Sequence, residues 1–314
     1  MILCLNANAA LDRILFVERF EPNTHMRTIN EVVSVGGKGL ATALVLHALG
    51  APVIAVSFVA GRNGQTLEDL LRRHGIANDL IWLEGETRVA TVIVETDVKR
   101  HSHITSQGYA IASADCQAFL QRTACLTANV TWAVIAGTLP PGAPQDFYAL
   151  LTAFLHEQHV RVLVDAFGAP LCAALAAVPD IVKMNLDEFV QTFGLDVRSL
   201  DSLPNACRTV MARFGLRTMV ITCGKDGILA CTPEGAYLAG VPEVSEVNAA
   251  GAGDAVSASL VYRLSLGDDW KQTLSWAAAT AAGVVLTPGT AECHLDDVLK
   301  LHPRTWVKKL IGNS

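Results

Sequence analysis

The segment Asn248-Ala249-Ala250-Gly251-Ala252-Gly253-Asp254-Ala255 places two glycines and a carboxylate at the start of a helical pattern. Strand-like residues precede it, and Val256, Leu260 and Leu264 follow at i, i+4 and i+8, as on one face of a helix. Gly251 and Gly253 leave the backbone free to point successive N–H groups outward. With the positive end of the helix dipole, those donors form an anion site. Asp254 beside such a site is suited to take the proton of a hydroxyl as that hydroxyl attacks a phosphoryl group. A glycine-rich turn with an acidic N-terminal residue has the same spacing, so the pattern alone leaves both readings open.

Two further groups carry potential chemistry. Gly36-Gly37-Lys38-Gly39 opens a helical pattern that closes at Gly50. Paired glycines let a polar ligand approach the backbone and Lys38 adds a positive charge, while a tight loop with a solvated lysine accounts for the segment equally well. Asp165 ends the strand pattern Val160–Asp165, Asn185 follows Ile181–Met184, and Glu188 lies three residues on. Oxygen ligands at strand C-terminal ends suit Mg²⁺ held largely through water, whereas Asn185 and Glu188 by themselves also read as a helix cap. His156-Glu157-Gln158-His159 lacks the H-E-x-x-H spacing of zinc enzymes and reads as a polar helix end, and His47 reads as a packed histidine.

Two common nucleotide motifs are excluded. A G-x-G-x-x-G fingerprint needs glycine where Val256 stands, and a Walker A loop needs Ser or Thr where Gly39 stands. The elements that must position these residues alternate. Strand patterns at Ile2–Asn8, Val53–Val59, Trp132–Ile135, Val160–Asp165, Ile181–Met184 and Thr218–Thr222 are separated by helical ones at Lys38–Leu49, Thr66–His74, Ser113–Leu126, Gln145–His156, Leu186–Phe193, Asn205–Phe214, Asp254–Ser265 and Trp270–Leu286. Alternation of this kind predicts an α/β fold, a doubly wound, mainly parallel sheet with helices on both faces. Two regions, 13–35 and 87–107, break the rhythm, and Arg88–Glu95 has a strand pattern. They predict a small separate β-sheet, placed as a lid or as a subunit contact.

Composition bounds the rest. The 314 residues are 51% hydrophobic and only 17% charged, with mean hydropathy +0.35. So apolar a chain buries enough surface to fold, which excludes disorder. A net charge of −6 excludes a nucleic-acid binder held mainly by charge. The long uncharged stretches are broken by His, Gly and Pro, so the apolarity predicts a large core and no membrane span. Eight scattered cysteines without a C-x-x-C pair, in a chain that shows no signal-peptide pattern, predict reduced thiols and a cytoplasmic protein.

The two glycine segments, in this order, resemble the signature segments of the ribokinase-like (PfkB-type) carbohydrate kinases, and the resemblance runs along the whole chain. Asn6-Ala7-Asn8-Ala9-Ala10-Leu11-Asp12 resembles the first-strand segment whose Asp binds sugar hydroxyls. Gly137-Thr138-Leu139-Pro140-Pro141-Gly142 resembles the Ser-Leu-Pro-Pro-Gly turn, and Lys183-Met184-Asn185-Leu186-Asp187-Glu188 the Lys-Pro-Asn-x-x-Glu segment near ATP and Mg²⁺. Thr222-Cys223-Gly224-Lys225-Asp226-Gly227 resembles a nucleotide-binding loop. Thr287-Pro288-Gly289-Thr290 and Asn248 resemble the phosphosugar branch, which holds 1-phosphofructokinase and tagatose-6-phosphate kinase.

The resemblance implies one kinase domain with a β-lid, using ATP and Mg²⁺. It makes Asp254 the base and assigns Gly251, Ala252 and Gly253 to the transferring phosphoryl group. Asp12, Gly37, Lys38 and Thr138 would meet the sugar, and Arg27 and Arg88 would meet a substrate phosphate. Lys183, Asn185, Thr222, Gly224 and Gly227 would line the nucleotide, and Glu188 and Asp165 the metal. It also implies a homodimer joined through the lids. Ala41 and Ala90 depart from the family, which usually has Asn at each position, so the hexose is not fixed. A kinase for a free sugar or nucleoside, and an idle sugar-binding sensor, remain as alternatives.

Overall fold

Two clusters of buried apolar side chains lie on opposite faces of one large sheet, and residues of the first strand alternate between them. In the computed structural model, which describes residues 1–98, 100–197 and 199–310, Ile2 and Cys4 of β1 (Ile2–Asn6) join one cluster and Leu3 and Leu5 the other. A strand buried on both faces must be apolar at every position, hence the continuous Val/Ile/Leu runs.

After β1 the chain forms β2 (Ala10–Val17), β3 (Asn30–Gly36), α1 (Lys38–Ala48), β4 (Val53–Ala60), α2 (Gly61–Arg73), β5 (Ala77–Leu83), β6 (Arg88–Glu95) and β7 (Arg100–Thr105). There follow α3 (Ser113–Leu126), β8 (Trp132–Ala136), α4 (Phe147–Glu157), β9 (Arg161–Asp165), α5 (Gly168–Ala174), β10 (Ile181–Asn185), α6 (Leu186–Phe193) and α7 (Leu203–Phe214). The chain closes with β11 (Met219–Thr222), β12 (Ile228–Thr232), β13 (Gly235–Gly240), α8 (Ala252–Ser265), α9 (Trp270–Val284), α10 (Leu295–Leu301) and β14 (Trp306–Leu310).

Among the described residues the main sheet has ten strands in the order β14-β13-β12-β11-β10-β9-β8-β1-β4-β5. From β5 to β11 every pairing is parallel, and β12, β13 and β14 add an antiparallel edge. Helices α1, α2, α8, α9 and α10 bury residues in one cluster, and α3 to α7 in the other. The predicted doubly wound sheet with helices on both faces is therefore what the chain forms. No helix among the described residues is long and apolar enough to cross a membrane.

The two regions without helical period form the expected small sheet, β3-β2-β6-β7. β2 pairs with β6 in parallel, and the outer pairs are antiparallel. Its inner residues Ile14, Phe16, Val92 and Val94 make a small core of their own.

Two local expectations are corrected. No strand leads directly into α8: β13 stops at Gly240, and 241–251 runs without regular pairing. α8 is also not amphipathic. From Asp254 to Val261 it is buried all round, packed between α1 and α9, which explains its small residues Ala255, Ser257, Ala258 and Ser259.

Candidate active site

Strand order reverses at β1, which lies between β4 and β8. In open α/β sheets, ligands bind outside the strand C-terminal ends at such a point. Here those ends carry Asn6 (β1), Asp165 (β9), and Lys183 and Asn185 (β10), with Gly137 just past β8.

Asn6 shapes the first glycine segment. Its Oδ1 accepts the Gly39 N–H at 3.1 Å, and its Nδ2 donates to Ser57 Oγ at 3.0 Å. Gly37 caps α1 at φ +98°, and a Cβ there would sit 2.9 Å from Asn6 Oδ1, so the segment needs glycine. Lys38 begins α1, but its ammonium is not free for a sugar. It donates to Asp165 Oδ1 at 3.1 Å and to Glu188 Oε1 at 2.8 Å, and this paired setting holds its pKa above the ordinary range despite burial.

Asp165 is fully buried. Its Oδ2 accepts from Lys183 Nζ and from Ser257 Oγ, both at 2.8 Å. Burial alone would raise its pKa; Lys183 and Lys38 reverse that and hold it below the usual carboxylate range. Asn185 caps α6: its Oδ1 accepts the Glu188 N–H at 2.8 Å, and Glu188 Oε2 accepts the Asn185 N–H at 3.0 Å. The capping reading of this pair is the one the structure shows. Asp165 and Glu188 thus already have cations or amides on their oxygens, and no group of three His, Cys, Asp or Glu among the described residues is placed to hold a metal. As arranged, direct Mg²⁺ ligation by either residue would have to displace these partners, while contact through water would not.

Asp254 lies in the first turn of α8, whose N-terminus no side chain caps. The Ala252 N–H turns back to the Ala249 carbonyl at 3.3 Å, and the next N–H groups, at Gly253 and Asp254, have no intrahelical acceptor and remain as donors. Gly251 adopts φ +89°, and a Cβ there would collide with Ala291. A Cβ at Gly253 would lie 3.0 Å from Lys183 Nζ, which puts that ammonium at the same helix end. Burial first, then the nearby Asp165 charge, push the Asp254 carboxyl up to about 7 against the pull of Lys183 and Lys38. This is the range in which a carboxylate exchanges protons near neutral pH.

Asp12, in the lid strand β2, is buried and raised to about 6, chiefly by burial. Its Oδ2 accepts from Thr290 Oγ1 at 2.7 Å. Arg88, at the start of β6, donates Nη2 to the Asn8 carbonyl at 3.1 Å and Nε to the Ala9 carbonyl at 3.3 Å. Thr138 Oγ1 accepts from Asn8 Nδ2 at 3.1 Å. Arg27 lies exposed in the connection between β2 and β3, outside this cluster. Ala41 is buried in the core. Ala90 pairs with Asp12 across β2 and β6, so it stands beside the carboxylate without a polar group.

A cleft of about 670 Å³ opens on the other side of the α8 N-terminus, lined by Gly224, Asp226, Val244, Ala249, Ala252 and Ala281. The turn after Thr222 is held by a Cys223 N–H bond to the Gly227 carbonyl at 2.8 Å, and Gly227 takes φ +109° against Ala239. Small residues of this lining stand against the anion-binding helix end and leave room for a nucleotide, with Glu243 and Glu246 also on its rim.

The structure therefore brings together Asp12, Lys38, Asp165, Lys183, Glu188 and the Gly251–Asp254 segment, and leaves Arg27 apart. It adds Ser257, Ser34 and Thr290. Ser257 lies one turn beyond Asp254, a spacing that could have flagged it. At the other candidate, His156 Nε2 sits 3.0 Å from Asp180 Oδ2, a local helix-end contact. The eight cysteines are free thiols.

Known proteins resemble this chain in sequence and fold. The family model described as pfkB family carbohydrate kinase matches residues 3–297. A 1-phosphofructokinase of Xanthomonas campestris pv. campestris is 31% identical over 266 residues, 83% of each chain. In three dimensions, the Thermotoga maritima protein described as a possible 1-phosphofructokinase superposes with a TM-score of 0.90 at 26% identity, covering 99% of this chain and 100% of that one. Phosphofructokinase-2 of Escherichia coli superposes with a TM-score of 0.88 at 22% identity, covering 96% and 98%. With its sheet, lid and helix-end site in place, the chain belongs to the pfkB family of carbohydrate kinases, enzymes that phosphorylate sugars.

Proposed function

We propose that the protein transfers the γ-phosphoryl group of ATP to a hydroxyl of a phosphorylated hexose, such as a fructose or tagatose phosphate, in the cytoplasm. The observation that carries this is Asp254, a buried carboxyl raised to about 7 beside the uncapped N-terminus of α8 and a nucleotide-sized cleft. Relatives named 1-phosphofructokinase favour a hexose phosphate and make fructose 1-phosphate the first substrate to try.

In this reading the nucleotide lies along the cleft between the Thr222–Gly227 turn and the start of α8. Lys183 and Asn185 stand at its phosphate end, next to Gly224 and Gly227. The sugar sits between Asp12 and Asp254 under the lid, near Gly37 and Thr138. Asp254 takes the proton of the attacking hydroxyl. The N–H groups at Gly251 and Gly253, with the Lys183 ammonium, stabilise charge on the transferring group, while the Ala252 N–H is turned back to the Ala249 carbonyl. Positioning and electrostatics supply most of the rate, because phosphoryl transfer needs little covalent help. Mg²⁺ would accompany the nucleotide and neutralise its phosphates, with Asp165 and Glu188 meeting it through water rather than directly.

Arg88 and Arg27 are the proposed phosphate contacts, since a guanidinium fork matches phosphate. One specific observation favours a free sugar instead: Arg88 already spends two donors on the Asn8 and Ala9 carbonyls, and Arg27 is exposed. Replacing both arginines with Met separates the readings. A steep rise in KM for the sugar phosphate with kcat retained supports the phosphosugar; an unchanged KM rejects it.

The lid is also proposed to join two copies of the chain. Across its strands Val33, Arg13, Thr91 and Ile104 stand in one row, and Val33 and Ile104 are exposed apolar side chains.

A further inference from the structure

The late loop between α9 and α10 connects the two ends of the site. At one end the Asn248 amide donates to the Pro288 and Gly289 carbonyls at 3.1 and 3.3 Å, and the Ala291 N–H bonds to the Ala250 carbonyl at 3.1 Å. This fixes the loop to the segment that leads into α8. At the other end Thr290 is buried against the lid. Its Oγ1 donates to Asp12 Oδ2 at 2.7 Å, while Ser34 Oγ in β3 lies 3.3 Å from the Thr290 N–H and 3.5 Å from its carbonyl.

Thr290 supplies the one hydrogen bond to the Asp12 carboxylate among the described residues, with the Arg88 charge nearby. Ala90, its partner in β6, offers only a methyl group at that register. Asp12 Oδ1 instead points into the space left by Gly36, where any Cβ would overlap it. A hydroxyl has one proton to give, so the Thr290 bond engages Oδ2 and leaves Oδ1, beside Gly36, without a hydrogen-bond donor among the described residues.

We propose that Thr290 is a positioning residue for sugar specificity: it clamps Asp12 through Oδ2 so that Oδ1 is presented to a sugar hydroxyl, and it does so from a loop anchored at the phosphoryl-transfer end. The proposal rests on the reading of Asp12 as a sugar ligand. Because the clamp spans 278 residues of sequence, it also ties lid position to the start of α8.

The test compares Thr290→Val, which keeps the shape and removes the proton donor, with Thr290→Ser, which keeps the donor. Initial rates with ATP and the hexose phosphate the wild type turns over are measured for all three proteins. A lost hydrogen bond to a charged group predicts a rise of about tenfold or more in KM for the sugar in Thr290→Val. KM for ATP should stay within about twofold, kcat should change less than the sugar KM, and Thr290→Ser should recover most of the loss. Circular dichroism and thermal melting confirm that Thr290→Val is folded. Unchanged sugar KM in a folded Thr290→Val protein, or an equal loss in Thr290→Ser, overturns the clamp. A wild type inactive on every sugar phosphate would instead defeat the kinase reading itself, so the two failures are distinguishable.

Discussion

Asp254→Asn separates catalysis from stability in a way only a raised, buried carboxylate can. The side chain keeps its shape and loses its proton affinity. As a lost general base, it should lower kcat by about 10²-fold or more. The stability effect runs the opposite way. In the folded protein the carboxyl titrates near 7, above its ordinary 3.8. Between those values the unfolded chain has released its proton while the folded chain still holds it, so stability falls as pH rises through this window. Above it, ionised Asp254 costs the fold up to roughly 4 kcal/mol, the free energy that separates the two titration positions. Asparagine carries no such cost. Differential scanning fluorimetry should therefore show the variant melting higher than wild type by on the order of 5 °C at pH 8, with the gap closing toward pH 4. In parallel, wild-type kcat/KM should rise with pH to a plateau above the Asp254 titration. Near-wild-type turnover in the variant, or a melting difference that does not change with pH, would refute the reasoning.

Three further outcomes follow from the geometry. Asp165→Asn leaves buried Lys183 without its counter-charge and should cost about 3–5 kcal/mol in urea unfolding; in the surviving activity the Mg²⁺ concentration for half-activation should move by less than about tenfold, whereas a larger shift would make Asp165 a direct metal ligand after all. Gly251→Ala forces a side chain into a positive-φ position against Ala291 and should lower both stability, by about 1–2 kcal/mol, and turnover; a fully active, equally stable protein would remove the tight-turn argument. Light scattering at micromolar concentration should give the mass of two chains, and Ile104→Glu should give one; a monomeric wild type ends the lid-dimer proposal.

Much of this molecule is readable from sequence because its information is local. The buried parallel strands are unbroken apolar runs, and the ends of α3 and α6 fall where Ser113, Leu126, Leu186 and Phe193 place them. What escapes is short or non-local. β12 and β13 form a hairpin around Pro233-Glu234 at the sheet edge, where glycine and alanine dilute the strand signal, and α5 and α10 span seven residues each, too short for a period to show. In the site, the glycine turns and Asp254 could be found by spacing. The charge network could not, since Lys38 and Asp165 are 127 residues apart and only the fold decides that this lysine meets the carboxylate. A still longer separation, 278 residues, hides the contact between Thr290 and Asp12.

The central claim is that this site phosphorylates a sugar that already carries a phosphate. Its most direct measurement is the initial rate of ADP release from ATP with Mg²⁺ across a panel of fructose and tagatose phosphates, the matching free sugars and nucleosides. The account predicts sustained release with one hexose phosphate, at a kcat/KM at least about 10²-fold above any free sugar or nucleoside, as expected when a charged group is read by arginine. Equal or faster release with a free sugar or nucleoside, or none with any acceptor, would contradict it.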